Sequence, residues 1–213
     1  GRRASVEALI RWNHPTLGLV SPSRFIPVAE KDNFIVELGH WILHDACRVL
    51  AELGRSSTNS DLNIAVNVSP RQFLQADFVQ QVEQALRDSG ALPSRLKLEL
   101  TESIFAQDIA LIIAKMDALH QLGVTFALDD FGAGYSCLAY LKQLPFDQIK
   151  IDQAFVKELP GEPRDAAIVH TIIALCESLH IAVIAEGVET DSQREFLELN
   201  GCHAFQGYLF SKP

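Results

Sequence analysis

Four carboxylates and one amide each follow a short apolar run, at points far apart in the sequence: Glu7, Asn67, Glu99, Asp129 and Asp130. Their oxygens are hard ligands of the kind that Mg²⁺ and Mn²⁺ prefer, whereas zinc prefers nitrogen and sulfur. Converging carboxylates would repel one another, and two divalent ions would remove that repulsion. Two metals about 3.5–4 Å apart can hold both the attacking and the leaving oxygen of a phosphodiester. Any single one of these carboxylates could be an ordinary surface residue, but the set predicts a two-metal site with the adjacent Asp129 and Asp130 as bridging ligands.

The apolar runs before these residues have the length and composition of β-strands. We predict strands over residues 5–10, 62–68, 96–100, 124–128, 148–151, 181–185 and 203–205, and helices over residues 34–53, 78–89, 109–121, 164–180 and 192–199, with a shorter helix after Ser136. The strands are continuously apolar, as expected when both faces of a sheet are covered. The alternation of strands and helices predicts an α/β protein with a parallel sheet.

Polar residues at the strand ends indicate a barrel rather than an open sheet. Nearly every predicted strand ends in one: Glu7, Asn67, Glu99, Asp129, Lys150, Glu186 and Gln206. An open sheet forms its site mainly at one crevice, whereas every strand of a (β/α)8 barrel ends at one central mouth. We therefore predict a TIM-like (β/α)8 barrel. Because closure usually needs eight strands and seven are predicted, we expect the first strand to lie before Gly1. Residues 1–213 contain no long linker and are predicted to form one domain.

The composition excludes several kinds of partner. The 213 residues carry a net charge of −9, whereas non-specific binding to DNA needs a basic surface, so we expect no DNA partner. The segment contains no run of ~18 apolar residues, so we expect no membrane contact from it, although a longer parent protein could be membrane-anchored. Cys47, Cys137, Cys176 and Cys202 lack the spacing of a zinc site, and scattered, reduced cysteines are typical of a cytoplasmic domain.

Seven motifs of this sequence resemble those of a known family. They are Val6-Glu7-Ala8-Leu9-Ile10-Arg11-Trp12, Asn67-Val68-Ser69, Glu99-Leu100-Thr101-Glu102-Ser103, Asp129-Asp130-Phe131-Gly132-Ala133-Gly134-Tyr135-Ser136, Lys150-Ile151-Asp152, Ala185-Glu186-Gly187-Val188-Glu189 and Gln206-Gly207-Tyr208. In this order, and over essentially the whole chain, they are similar to the motifs of the EAL family of cyclic di-GMP phosphodiesterases. The resemblance implies a TIM-like barrel whose first strand runs antiparallel to the others and is missing from this segment.

The resemblance also implies which residues carry out the chemistry. Glu7, Asn67, Glu99 and Asp129 match the ligands of a first metal, and Asp129 and Asp130 match the ligands that reach a second. Glu186 matches a glutamate that acts as general base or contacts the second metal. Lys150 matches the lysine that positions the attacking water.

Further residues match the substrate site and its surroundings. Arg11 resembles an arginine that grips a substrate phosphate, a role that suits a planar guanidinium. Leu9, Asp152 and Tyr208 match residues that touch the nucleotide, although Leu9 could equally be ordinary packing, and Gln206 and Glu189 match residues that line the site. Gly132 and Gly134 lie in a loop beside the metals that Glu102 is expected to anchor, and Cys137 stands where family members commonly have serine.

The expected function is therefore metal-dependent hydrolysis of cyclic di-GMP to linear pGpG in bacterial second-messenger signalling. We expect Mg²⁺ or Mn²⁺ to support the reaction and Ca²⁺, which is larger and less exacting in geometry, to inhibit it. The alternative is a catalytically silent EAL domain that acts as a cyclic di-GMP receptor or a protein-interaction module. The resemblance further implies a homodimer formed through the barrel loop region and an upstream GGDEF or sensory domain, with this segment trimmed at both ends.

Overall fold

The computed structural model describes residues 5–55, 61–132 and 138–211. The chain divides into two compact units, of which the first comprises Gly1–Glu99 and Ala114–Thr125 and the second comprises Leu100–Ile113 and Phe126–Pro213. The predicted site residues are distributed over both units.

The first unit is built on three parallel strands. Its elements are β1 (Ser5–Ala8), β2 (Trp12–His14), β3 (Gly18–Val20), α1 (Pro22–Lys31), α2 (Phe34–Gly54), β4 (Asn63–Asn67), α3 (Pro70–Phe73), α4 (Phe78–Ser89), the part of β5 (Leu96–Thr101) that ends at Glu99, and the part of α5 (Ile109–Leu122) that begins at Ala114. Strand β4 lies between β1 and β5 and is parallel to both. The register places Glu7 opposite Ala65 and Asn67 opposite Glu99, so three predicted metal ligands lie at the same end of neighbouring strands.

Helix α2 is the largest helix of this unit, and its sequence explains how it packs. Its buried residues recur at intervals of three and four along one face: Ile35, Gly39, Leu43, Ala46, Cys47 and Leu50. This periodicity is that of a helix with one apolar stripe. The helix packs against α1, α4 and β4, and it thereby covers one face of the three-stranded sheet.

The second unit repeats the alternation of strands and helices. Its elements are the end of β5 after Glu99, a 3₁₀ helix (Glu102–Ala106), the part of α5 up to Ile113, β6 (Thr125–Phe131) from Phe126 onwards, α6 (Leu138–Leu141), β7 (Gln148–Ile151), α7 (Gln153–Val156), α8 (Pro163–Leu179), β8 (Ala182–Ala185) and α9 (Asp191–Leu199). Strand β7 lies between β6 and β8 and is parallel to both. The register of β6 shifts between Leu128 and Phe131, and this irregularity contains the adjacent Asp129 and Asp130.

Most of the predicted elements are present, with a few local differences. The strand predicted over residues 203–205 is reduced to a single bridge between Ala185 and Phe205. The antiparallel hairpin of β2 and β3 was not predicted, since two strands of three residues show no periodicity. Helix α1 was also missed, because it contains Pro27, a residue that normally interrupts helices.

Among the described residues, no helix combines the length and the apolar character that crossing a bilayer requires.

Candidate metal centre and active site

Three carboxylates of the second unit meet at the ends of its strands. Asp129 and Asp130 lie in the irregular end of β6, and Glu186 directly follows β8. One oxygen from each of the three lies within 4.8 Å of the other two. Asp129 is buried, whereas Asp130 is exposed and Glu186 is intermediate, so the group is open to solvent on one side.

Lys150 is the cation of this cluster. It lies on β7, and its side chain is only 2% exposed. Its Nζ lies 3.0 Å from Asp129 Oδ1 and 2.8 Å from Glu186 Oε1. A buried ammonium needs such partners, because an isolated buried charge is very costly. The lysine thus joins the ends of β6 and β8 across the central strand of this unit.

Asp130 is held in an unusual environment. Its backbone is left-handed, with φ at 54°, and its N–H donates a hydrogen bond of 3.0 Å to Asp129 Oδ1. Asp130 is exposed as a residue, but its carboxyl is partly desolvated by its surroundings, and this desolvation raises its pKa above the ordinary value. The carboxylates of Asp129 and Asp152 raise this pKa further, while Lys150 lowers it. Accumulated negative charge of this kind favours the binding of a cation.

Glu102 contacts the chain just after this cluster. It is 6% exposed, and its Oε1 accepts a hydrogen bond of 3.0 Å from Gly132 N–H. Gly132 has φ at 99°, and a Cβ there would lie 2.9 Å from Phe155 Cε2, so a side chain at this position would be both strained and crowded. The hydrogen bond from Gly132 supports the prediction that Glu102 anchors the loop. The other two loop residues of the prediction, Gly134 and Cys137, lie outside the described residues.

The donor set of the second unit fits a hard divalent cation. All three neighbouring ligand atoms are carboxylate oxygens, which are the ligands that Mg²⁺ and Mn²⁺ prefer. Desolvation and the neighbouring carboxylates both raise the pKa of Asp130, and a bound cation would favour its ionised form.

In the first unit, two predicted ligands are in direct contact although 60 residues separate them. Asn67 Nδ2 donates a hydrogen bond of 2.6 Å to Glu7 Oε1. This contact fixes the amide so that its oxygen remains available to another partner. Glu99 is 3% exposed and pairs with Asn67 in the register of β4 and β5, while its backbone carbonyl accepts a hydrogen bond of 2.9 Å from Val68 N–H.

The predicted substrate residues of the first unit follow β1. Leu9 is 42% exposed, and its predicted contact with the nucleotide stays a prediction. Arg11 is exposed, and its Nη1 donates a hydrogen bond of 3.0 Å to the carbonyl of Ile10. Both residues line a groove of about 320 Å³ that also includes Trp41 and Asp45 of α2.

Asp152 has a structural role in addition to the predicted one. Its Oδ1 accepts a hydrogen bond of 2.6 Å from Ala154 N–H, so the side chain caps the N-terminus of α7. A cap of this kind needs only one carboxylate oxygen. The predicted contact of Asp152 with a nucleotide therefore stays a prediction.

Gln206 and Tyr208 lie beside the segment that carries Glu186. Gln206 N–H donates a hydrogen bond of 2.8 Å to the Ala185 carbonyl, and the Gln206 carbonyl accepts a hydrogen bond of 3.0 Å from Val188 N–H. Tyr208 is 56% exposed and is thus accessible to a ligand. These backbone contacts hold residues 204–208 against residues 185–188.

One residue in this region was not predicted. Gln193 is a buried side chain, 5% exposed, that contacts the segment carrying Glu189. The signal was present in the sequence, because Thr190 and Gln193 have the spacing of a capping box.

Comparisons with known proteins agree with the motifs. Residues 1–213 match the family model described as EAL domain. The chain is 45% identical over 213 residues to the bifunctional diguanylate cyclase/cyclic di-GMP phosphodiesterase MucR of Pseudomonas aeruginosa, and it covers 31% of that protein. It is 43% identical over 213 residues to the cyclic di-GMP phosphodiesterase NbdA of the same organism, of which it covers 27%. The chain thus spans less than a third of the length of these curated relatives.

Solved structures resemble the chain over its whole length. The PaMucR phosphodiesterase in complex with c-di-GMP has a TM-score of 0.95 and 45% sequence identity, and the match covers 100% of this chain and 86% of that one. The EAL enzyme Bd1971, in its form with cAMP and cyclic di-GMP bound, has a TM-score of 0.92 and 38% identity, with 99% of this chain and 57% of that one covered. These similarities confirm the predicted α/β class and the TIM-like barrel fold.

Proposed function

This chain belongs to the EAL domain family, and on that basis we propose that it hydrolyses cyclic di-GMP to linear pGpG in a reaction that depends on divalent metal ions. The observation that carries the proposal is the cluster of Asp129, Asp130 and Glu186 with the buried Lys150 between two of its members. This cluster combines ligands for a cation with a lysine close to the position where a phosphate would bind. Two relatives that share more than two fifths of their aligned residues with this chain are named as cyclic di-GMP phosphodiesterases.

The proposed metals are Mg²⁺ or Mn²⁺ at two positions. Glu7, Asn67, Glu99 and Asp129 would hold one ion, and Asp129 with Asp130 would reach the other. When bound, such ions withdraw charge from the phosphate oxygens and make water a better nucleophile at neutral pH. We expect Ca²⁺ to inhibit, because it tolerates irregular coordination that does not hold the reacting groups in line.

Glu186 and Lys150 supply the acid–base and electrostatic parts of the proposed reaction. Water attacks phosphorus, a P–O bond forms, and the bond from phosphorus to the 3′ oxygen breaks. Glu186 accepts the proton of the attacking water, which requires that its carboxylate be close to that water. Lys150, 2.8 Å from Glu186 Oε1, keeps this carboxylate in place and stabilises the negative charge that develops on the phosphate. The 3′ oxygen takes up a proton from solvent, and the product is pGpG.

The residues that match the family's substrate site hold the substrate in this proposal. Arg11 pairs with a phosphate of the dinucleotide through its planar guanidinium. Leu9 and Tyr208, both more than two fifths exposed, contact the nucleoside parts. The Asp152 carboxylate accepts hydrogen bonds from the nucleotide, and the Gln206 amide donates or accepts them. Glu189 lines the site.

The wider context of the chain is proposed from its relatives. MucR is named as both a diguanylate cyclase and a phosphodiesterase, which supports a GGDEF or sensory domain upstream of residues 1–213 in a longer signalling protein. We further propose a cytoplasmic location, where cyclic di-GMP is produced, and a homodimer formed through the loop region that includes Gly132.

A turnover assay tests the function. The natural full-length chain that contains these residues is incubated with cyclic di-GMP and either Mg²⁺ or Mn²⁺, and the products are separated by chromatography. We expect pGpG with both metals, none with Ca²⁺, and none from the Glu7→Ala variant, whose metal ligand is lost. Glu37→Ala is the matched control, because Glu37 is an exposed glutamate in the first turn of α2, and it should leave turnover unchanged. Tight binding of cyclic di-GMP without pGpG under both metals would show that the domain is a receptor and not an enzyme.

A further inference from the structure

Gln193, on α9, uses every polar atom of its side-chain amide. Its Oε1 accepts hydrogen bonds from Glu189 N–H over 2.8 Å and from Thr190 N–H over 3.0 Å. Its Nε2 donates to the carbonyl of Lys157 over 2.9 Å. A glutamine that is 5% exposed and hydrogen-bonded through both its amide oxygen and its amide nitrogen is fixed in a single orientation.

A helix cap explains only part of this arrangement. The capping box of α9 consists of the bond from Gln193 N–H to Thr190 Oγ1, 3.2 Å long, and the bond from Thr190 N–H to Gln193 Oε1. The bonds to Glu189 N–H and to the Lys157 carbonyl are additional. The second of these spans 36 residues and reaches the end of α7.

Gln193 joins the segment that carries Glu186 to the helix that follows the strand of Lys150. Glu186 begins the segment that leads from β8 to α9, and α7 follows directly after β7, which carries Lys150. Gly187 packs closely against the same helix, since a Cβ there would lie only 2.6 Å from Gln153 Cβ. The segment after β8 is therefore seated on α7 at two points, Gly187 on Gln153 and Gln193 on Lys157.

We propose that Gln193 is a positioning residue, which holds the segment after β8 against α7 and thereby keeps Glu186 in register with Lys150. This inference rests on the proposed function, because it assigns Gln193 an effect on the reaction in which Glu186 and Lys150 take part. Without the amide, the Glu189 and Lys157 contacts are lost and the segment moves relative to α7. A displacement of about 1 Å at a reacting group lowers turnover by about 100-fold.

Gln193→Ala and Thr190→Ala separate positioning from helix capping. Thr190→Ala removes the hydroxyl of the cap but leaves all three bonds of the Gln193 amide, because their partners are backbone groups of Glu189, Thr190 and Lys157. Both variants lose a cap contact worth about 1 kcal/mol. We expect Gln193→Ala to lower kcat by about 10–100-fold with KM changed less than about twofold, as removal of a residue behind the metal ligands commonly does. Thr190→Ala should keep kcat within about twofold of the parent.

Gln193→Glu tests the hydrogen bond between Gln193 and the Lys157 carbonyl separately from the others. This variant keeps an oxygen for the Glu189 and Thr190 N–H groups but has no N–H for the Lys157 carbonyl. We expect it to lower kcat as Gln193→Ala does. Equal kcat values for Gln193→Ala and Thr190→Ala, or parental kcat for Gln193→Glu, would overturn the proposal.

Binding of Mn²⁺, followed by electron paramagnetic resonance of the free ion, provides a readout that does not need turnover. We expect Gln193→Ala to bind Mn²⁺ about tenfold more weakly than Thr190→Ala. If the parent protein binds Mn²⁺ but hydrolyses no cyclic di-GMP, the proposed function fails while weaker Mn²⁺ binding by Gln193→Ala still supports positioning. Equal Mn²⁺ affinity in the two variants would count against positioning whatever the turnover.

Discussion

Replacing Lys150 with methionine should destabilise the metal-free protein strongly and in a way that metal ions reverse. The substitution keeps the length of the side chain but removes the ammonium that lies 3.0 Å from Asp129 Oδ1 and 2.8 Å from Glu186 Oε1. The two carboxylates are then left facing each other, together with Asp130, whose oxygens belong to the same cluster.

The size of the effect follows from the burial of the lysine. Lys150 is 2% exposed, and removing one partner of a buried ion pair costs about 3–5 kcal/mol, because the other charge remains without compensation. The loss should be larger at pH 8 than at pH 5, because Asp130, whose pKa is raised, takes up a proton more readily at the lower pH and so reduces the repulsion within the cluster. Divalent ions supply positive charge at the same place, so saturating Mn²⁺ should recover part of the lost stability.

The measurement is chemical denaturation of the Lys150→Met variant at both pH values, with a chelator and with Mn²⁺. Lys157→Met is the matched control, because its ammonium is 80% exposed and lies 3.9 Å from Glu158, a surface pair worth no more than about 1 kcal/mol. If Lys150→Met unfolds at the same denaturant concentration as Lys157→Met in the chelator at pH 8, Lys150 does not balance the charge of the cluster.

Two further predictions concern single residues near the cluster. The pKa of Asp130 is raised in the folded state, so its contribution to stability is present below its unfolded pKa of 3.8 and is lost as the pH rises through the folded pKa. Asp130→Asn should therefore flatten the fall in melting temperature between about pH 4 and pH 7 in a chelator. Parallel curves of melting temperature against pH for the parent and the variant would contradict this assignment. Gly207→Ala should destabilise the protein by about 2 kcal/mol or more, since a Cβ there would lie 2.2 Å from the Val188 carbonyl oxygen. Gly54→Ala is the control, because a Cβ at this end of α2 has no neighbour within 4 Å, and it should leave the stability unchanged or increase it. Similar melting temperatures for the two alanine variants would refute the crowding at Gly207.

The parts of the site that depend on strand ends could be predicted from the sequence. A polar residue after an apolar run lies at the end of a strand, and parallel strands end on the same side, so Asp129, Lys150 and Glu186 were expected to lie together. The contact between Asn67 and Glu7, 60 residues apart, follows from the same rule. For these residues, the positions of the predicted strands were sufficient to predict which side chains lie together.

The remaining features depend on contacts that the sequence pattern does not contain. The spacing of Thr190 and Gln193 indicates a capping box, but nothing in it indicates the hydrogen bond to Lys157 across 36 residues. Asp152 matched a nucleotide contact by resemblance, whereas its position directly before α7 gives it a capping role as well. The left-handed backbone of Asp130 lies within the irregular pairing of β6 and β7, which the sequence pattern does not indicate either.

Hydrolysis of cyclic di-GMP in water enriched in oxygen-18 tests the central claim most directly. The full-length protein is incubated with cyclic di-GMP and Mn²⁺, and the product is analysed by mass spectrometry. Attack of water on phosphorus predicts pGpG that carries a single heavy oxygen in its terminal phosphate. Cyclic di-GMP that is bound but recovered intact, or linear product without heavy oxygen in that phosphate, would contradict the account.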